Sequence, residues 1–181
     1  RAVNGYPEVS EATRVRVRAA AKDHGYSPNT RAQGLATGLS RCIGHVISVG
    51  DSGEMVNPIF GDFMAGAGET YAAHGYDMMV TRVGQRDEAD IYRRLKARGA
   101  VDGLVMHAPR FDDSRLPLLN DLGLPFVVHG RSSGAPDTYS YLDVNNRSAF
   151  CEATRHLTGL GHRRIALING QEQLDFAIRR R

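Results

Sequence analysis

The sequence predicts an α/β protein built on a doubly wound parallel sheet, and three observations carry that prediction. From Cys42 onward, apolar runs alternate with stretches of helical periodicity. The runs CIGHVISV, YDMMVT, GLVMH and PFVVH are continuously apolar rather than alternating, which marks strands of a parallel sheet covered on both faces. Four times a helical stretch stops at a glycine just before the next strand: His74-Gly75-Tyr76, Arg98-Gly99-Ala100, Leu122-Gly123-Leu124 and Leu160-Gly161-His162. A helix ends this way when its C′ residue turns left-handed.

Taken in order, Asn4-Gly5 and Pro7 read as a turn. Ser10 is a good N-cap for a helix through about His24, with Glu11 in its first turn and Gly25 at C′. Val9, Ala12, Val15 and Ala19 fall at helical spacing as one packing stripe. Arg14, Arg16, Arg18 and Lys22 cover the rest, and such a charged face is as readily solvated as bound to a partner. Pro28 forces an extended approach, and Asn29 caps a short helix, Thr30 to Thr37, that Gly38 ends. Ala32, Leu35 and Ala36 line one face of it, while Gly34 weakens it by roughly 1 kcal/mol relative to alanine. An isolated helix this short is marginal in water, so it is expected to form only on binding. Further helices are expected over about 58–73, 86–98, 114–122 and 145–160, with YSYLD and RRIALIN as additional strands and DFAIRRR opening another helix.

With 181 residues, 41% hydrophobic and 24% charged, the composition is that of an ordinary soluble globular protein. No apolar run approaches the roughly 18 residues of a membrane helix, and RAVNGYPEVS does not read as a secretory signal. A cytoplasmic protein without a membrane partner is expected. Cys42 and Cys151 lie far apart without CxxC spacing, which suits two semi-buried thiols in a reducing compartment. Net charge is only +3, but residues 1 to 44 hold seven basic against three acidic side chains, and the remainder is balanced to within one charge. The positive charge belongs to the N-terminal quarter.

Gly50-Asp51-Ser52-Gly53 resembles a serine-protease nucleophile segment only superficially, because Glu54 and Met55 follow and the surroundings are α/β. Gly66-Ala67-Gly68 falls inside a helix, with Tyr71 where a third glycine is needed, so it cannot cradle a phosphate. The seven histidines show no metal spacing. No catalytic residue, metal or cofactor is therefore expected. A ligand cleft is expected instead, since open α/β sheets bind beyond the carboxyl ends of their strands. The residues at those ends are Asp51 and Ser52, Ala108 and Pro109, and His129, Gly130 and Arg131, with Phe60 just inside the first helix of the sheet domain. Each would also be at home in a solvated loop. Together, a carboxylate, a histidine, an arginine and an aromatic ring suit a small polyhydroxylated ligand.

The chain resembles bacterial transcriptional regulators of the LacI/GalR family. The resemblance is carried by RAVNGYPEVSEATRVRVRAAAKDHGYSPNTRAQGLATG, NPIFGDFMAGAGETYAAHGYD, RGAVDGLVMH, GLPFVVHGR and LDVNNRSAFCEATRHLTGLGHRRIALING. It implies the end of a helix-turn-helix headpiece over residues 1–28, a hinge helix and linker over 29–41, and a periplasmic-binding-protein-like effector domain over 42–181, comprising one lobe and the start of a second. It also implies a sequence-specific, homodimeric repressor of a palindromic operator, governed allosterically by a mono- or disaccharide. GLPFVVHGR points to regulators of α-glucosides and related sugars.

By position, Arg1 matches a residue that reads a base edge, Asn4 one that positions the turn, and Ser10, Thr13 and Asn29 phosphate contacts. Tyr26 matches an aromatic that closes the headpiece. Thr30, Ala32 and Leu35 belong to the hinge, where Leu35 matches the minor-groove wedge. Arg180 matches an arginine that anchors the effector, beside the cleft residues Asp51, Phe60, Pro109, His129 and Arg131. The chain departs from the family in three respects: the first two headpiece helices and the later part of the effector domain have no counterpart, and Gly34 replaces a helix former. The competing class is a periplasmic-type solute-binding protein with no role on DNA. Residues 1 to 41 argue against it.

Overall fold

The computed structural model describes residues 1–3, 6–26, 34, 37–48, 58–84, 88–136 and 138–181. It divides into two compact units, Arg1–Ser40 and Arg41–Arg181. In the first, helix α1 spans Glu11–Asp23, and the Ser10 side chain accepts a hydrogen bond from the Thr13 N–H. Gly25 takes φ +61, so cap and stop lie where the residue types place them. The expected stripe does not pack: α1 buries nothing, and Val15 is 58% exposed. Ala12 and Ala19 are exposed too, while Arg14, Val17 and Ala21 are half-covered. Among the described residues no helix faces the stripe. Arg14 is not a purely solvated charge either, because it donates to the Tyr6 carbonyl at 2.8 Å and pairs with Glu11 at 3.1 Å. Of the expected short helix, Gly34 accepts the Gly38 N–H at 2.8 Å and Gly38 takes φ +73; most of that helix lies outside the described residues.

The second unit holds β1 (Cys42–Ser48), α2 (Pro58–Ala73), β2 (Asp77–Val83), α3 (Glu88–Ala97), β3 (Gly103–His107), α4 (Arg115–Asp121), β4 (Phe126–His129), β5 (Ser140–Leu142), α5 (Asn146–Gly159) and α6 (Asp175–Arg179). The five strands pair in the order β2-β1-β3-β4-β5, all parallel. The chain steps from β1 to the edge strand β2, then crosses back to lay down β3, β4 and β5 on the other side. Strand order thus reverses beside β1. All four glycines expected to end helices are left-handed, with φ from +54 at Gly99 to +93 at Gly161.

Alternation along the strands separates two faces. Cys42, Val46, Leu104, Met106 and Val128 point to one and pack with Tyr92 and Leu95 of α3 and Leu116 and Leu119 of α4, forming the core. His45 lies on the other face, against Phe63 and Tyr71 of α2. That face is covered unevenly: His45 and Ile47 are buried, while Val80 and Val127, in register with His45 and Val105, are 45% and 43% exposed. Of the thiols, Cys42 is buried and Cys151 exposed.

RRIALIN is not a strand. Residues 162–169 lie outside any helix or strand, and Ile168 is 98% exposed. No described strand pairs with it, so its apolar side chains have nothing to pack on. YSYLD is shortened to the three residues of β5. No described helix is long and apolar enough to cross a membrane.

The core account predicts that Leu119→Ala, at a side chain with 0% exposure, destabilises the protein by about 2–5 kcal/mol. Urea denaturation should show a lower midpoint with an unchanged slope.

Candidate ligand cleft

The cleft is assembled from strand ends whose loops are tied down. Beyond β3, Ala108 holds a left-handed φ of +47, an uncommon conformation for a residue with a side chain. Arg115 anchors it, donating to the Ala108 carbonyl at 3.1 Å while gripping Asp113 at 2.8 and 2.7 Å and Glu88 at 2.9 Å. Burial opposes a charge on Asp113, but the Arg115 hydrogen bonds and charge, with the Arg110 and Arg115 N–H groups, outweigh it and hold the carboxyl below its ordinary value. Beyond β4, Gly130 adopts φ +109, and a Cβ there would sit 2.9 Å from the Pro109 ring. Only glycine lets these two strand ends approach so closely. Helix α6 is docked by Asp175, 0% exposed, whose carboxylate accepts from the Ser133 N–H at 2.8 Å and hydroxyl at 3.0 Å. The Asp175 N–H donates to the Pro109 carbonyl at 3.0 Å.

These ties enclose a cleft of about 490 Å³, lined by Phe60, Pro109, His129, Arg131 and Arg180 among others. Five of the six residues expected around a ligand therefore share one cavity; Asp51 lies outside the described residues. Arg131 stacks on Tyr141, its guanidinium carbon 5.1 Å from the ring centroid. Arg180 lies between Phe176 and Phe150, at 4.6 and 5.0 Å, and donates through Nε to Asn146 Oδ1 at 2.8 Å. Asn146 in turn donates to Asp143 at 3.2 Å. Phe63, Asp143, Asn146 and Phe176 line the same cleft and were not anticipated. Phe63 could have been found as the aromatic one turn beyond Phe60. The others follow β5 or sit on α6, and only the fold brings them in.

From His129 and His107 on the cleft wall, an unanticipated file of side chains runs inward. Tyr71 Oη meets His45 Nε2 at 3.1 Å, His45 Nδ1 meets His107 Nε2 at 2.9 Å, and His107 Nδ1 meets His129 Nδ1 at 3.2 Å. Phe63 stacks face to face on His129, centroids 4.1 Å apart. The visible signal was a polar residue within or ending three apolar runs, CIGHV, GLVMH and PFVVH. Their adjacency depends on β1, β3 and β4 being neighbours. Burial, reinforced by neighbouring histidines, lowers His45 to about 4 and His107 to about 3, with Arg115 adding to the effect on His107. Burial also lowers His129, against a smaller opposing pull from Asp143.

Of the residues matched to DNA contacts, Arg1 is exposed and pairs with Glu8 at 2.8 Å. The Ser10 and Thr13 hydroxyls share a 2.9 Å hydrogen bond at the exposed N-terminus of α1. Asn4, Asn29, Thr30, Ala32 and Leu35 lie outside the described residues. No described group of three or more His, Cys, Asp or Glu side chains is arranged to hold a metal ion.

The buried imidazoles imply acid lability. Their folded-state pKa values lie below the ordinary 6.5, so as pH falls the unfolded chain binds these protons first. Their stabilising effect is complete above about pH 6.5 and erodes as pH falls toward the folded values, by up to about 1.4 kcal/mol per pH unit for each ring. Urea melts between pH 7.5 and 5 should show this decline; a flat profile would contradict neutral burial.

Comparison with known proteins fits this architecture. Residues 52–181 match the family described as periplasmic binding proteins and sugar binding domain of LacI family. The HTH-type transcriptional regulator AglR of Rhizobium meliloti (strain 1021) is 46% identical over 181 residues, covering 100% of this chain and 51% of that protein. The chain spans about half the length of the curated relatives it matches. The structure titled transcriptional regulator CelR-cellobiose complex is 28% identical with TM-score 0.70, covering 99% of this chain and 53% of that one. The lac repressor dimer bound to operator and the anti-inducer ONPF shares the fold at 24% identity and TM-score 0.77, covering 99% of this chain and 53% of that one. By the family match over most of its length, this chain belongs to the LacI family and carries that family's sugar-binding type of domain.

Proposed function

We propose that this chain forms the hinge and effector-binding part, with the end of the DNA-binding headpiece, of a cytoplasmic, homodimeric transcriptional repressor that a saccharide regulates. The observation that carries the reading is the cleft. Aromatic faces from Phe60, Phe63 and Phe176 stand beside Arg131, Arg180, Asp143 and Asn146, the combination that a ring with an apolar face and many hydroxyl groups requires. The titles of its relatives support the same reading: AglR is named an HTH-type transcriptional regulator, and CelR was solved with cellobiose.

In this reading residues 1–28 belong to the headpiece, 29–41 to the hinge and 42–181 to the effector domain. Arg1 and Asn4 act at the end of the recognition helix, while Ser10, Thr13 and Asn29 hold phosphates. Thr30, Ala32 and Leu35 form the hinge surface, and Leu35 wedges a base step open in the minor groove of a palindromic operator. Asp51 supplies a further carboxylate to the ligand. A mono- or disaccharide closing on Arg180 and Phe60 changes the placement of the effector lobes. That change alters the spacing of the paired hinges and with it operator affinity.

Thermal-shift screening of the full-length protein against mono- and disaccharides tests the effector role, since a ligand that binds only the folded state raises Tm. One class of sugar should do so, and Arg180→Ala should abolish the shift. No shift with any sugar would contradict the reading. On DNA, operator affinity should fall steeply with salt. Leu35→Ala should weaken specific binding strongly and non-specific binding little; an equal loss in both would remove the wedge role.

A further inference from the structure

We infer that His129 meets the ligand as a hydrogen-bond donor through its Nε2–H, its tautomer fixed from behind the cleft by a single file of hydrogen bonds running Tyr71, His45, His107, His129. The ligand group opposite it is then an acceptor oxygen, such as a hydroxyl or ring oxygen of a saccharide. This rests on the reading of the cleft as a saccharide site. Tyr71 and His45 are positioning residues that do not line the cleft, while His107 lines it beside His129 and orients it.

Proton counting links the four side chains. A neutral imidazole carries one N–H and one lone pair. In a file in which Tyr71 Oη meets His45 Nε2, His45 Nδ1 meets His107 Nε2, and His107 Nδ1 meets His129 Nδ1, the direction of any one hydrogen bond dictates the others. Two arrangements exist. In the outward one, Tyr71 donates to His45, His45 donates through Nδ1 to His107, and His107 donates through Nδ1 to His129. Each of these protons is then used, and the remaining one sits on His129 Nε2. In the inward one, every bond reverses, and the Tyr71 hydroxyl accepts from His45. Tyr71 is only half-buried, so its proton can reach solvent in either arrangement; the outward one is favoured because a phenol O–H donates better than an imidazole N–H and an imidazole nitrogen accepts better than a phenol oxygen.

The surroundings keep the file in single protonation. His45 is 0% and His107 4% exposed, and an added proton would set two N–H groups against each other. Burial accordingly holds both rings neutral near pH 7. The nitrogens face one another pairwise instead of converging on a point, in keeping with the lack of a described metal cluster. Bonds in such a file polarise one another in the same sense, so the donor at His129 is set by a hydroxyl on α2 two rings away. Phe63 stacked on His129 fixes the plane in which that N–H is presented.

Nitrogen-15 NMR of histidine-labelled full-length protein, without ligand at pH 7.5, reads the tautomers directly. The expected pattern is Nδ1–H on His45 and His107 and Nε2–H on His129; Nδ1–H on His129 would overturn the proposal. Tyr71→Phe keeps the ring and removes the outward donor. It should let a Nδ1–H population appear at His129, an effect that a merely structural role for Tyr71 would not produce. An unchanged His129 tautomer in Tyr71→Phe would also overturn the proposal. Cellobiose, maltose and raffinose serve as binding probes. Affinity for whichever binds should fall about fivefold in Tyr71→Phe. If none binds the wild-type protein, the saccharide acceptor falls with the saccharide reading, while the tautomer pattern decides the histidine file separately.

Discussion

The register of β1, β3 and β4 is the constraint on which the cleft depends. Parallel pairing places Val105 beside His45 and His129 beside His107, so three imidazoles from distant parts of the chain stand in line on one face. A slip of one residue would turn each strand's side chains to the opposite face, setting His107 into the apolar core and Met106 against α2. The register is protected by that core: Val46, Met106 and Val128 are each 1% exposed or less. The face that packs against α3 and α4 supplies the stability, and the face beneath α2 is left free to carry polar groups.

The strand ends are held with similar economy. Arg115 satisfies the carbonyl of left-handed Ala108, the buried Asp113 carboxylate and the half-buried Glu88 carboxylate at once. Asp175 ties α6 to the loop after β4. Pro109 and Gly130 then close the gap between β3 and β4. These contacts position Phe176 and Arg180 over the same cavity as His129 and Arg131. In a largely apolar cleft that carries a few fixed polar groups, such prior fixing reduces the entropy lost when a small ligand binds.

Much of this was legible in the residues themselves. Capping by Ser10, glycine stops and apolar runs are local signals, and the helices and strands of the sheet follow them closely. The strand-end rule is topological, yet it needed only the element order to gather Phe60, Pro109, His129, Arg131 and, with the family resemblance, Arg180. What stayed hidden depends on partners. Among the described residues, RRIALIN has the pattern of a strand without one to pair with, and the α1 stripe has helical spacing but is not buried. The histidine file needed strand order and register together, and nothing local distinguishes His45 from any polar residue in an apolar run.

The function we propose comes down to one claim, that the cleft on the sheet and the basic N-terminal unit are energetically coupled. Coupling is reciprocal: if a saccharide changes operator affinity by some factor, the operator changes saccharide affinity by the same factor. The most direct measurement is the saccharide Kd of the full-length protein, free and saturated with its operator. The account predicts values differing by about 5- to 150-fold, matched by the change in operator Kd that the same saccharide produces. Equal saccharide affinities in the two states would contradict it.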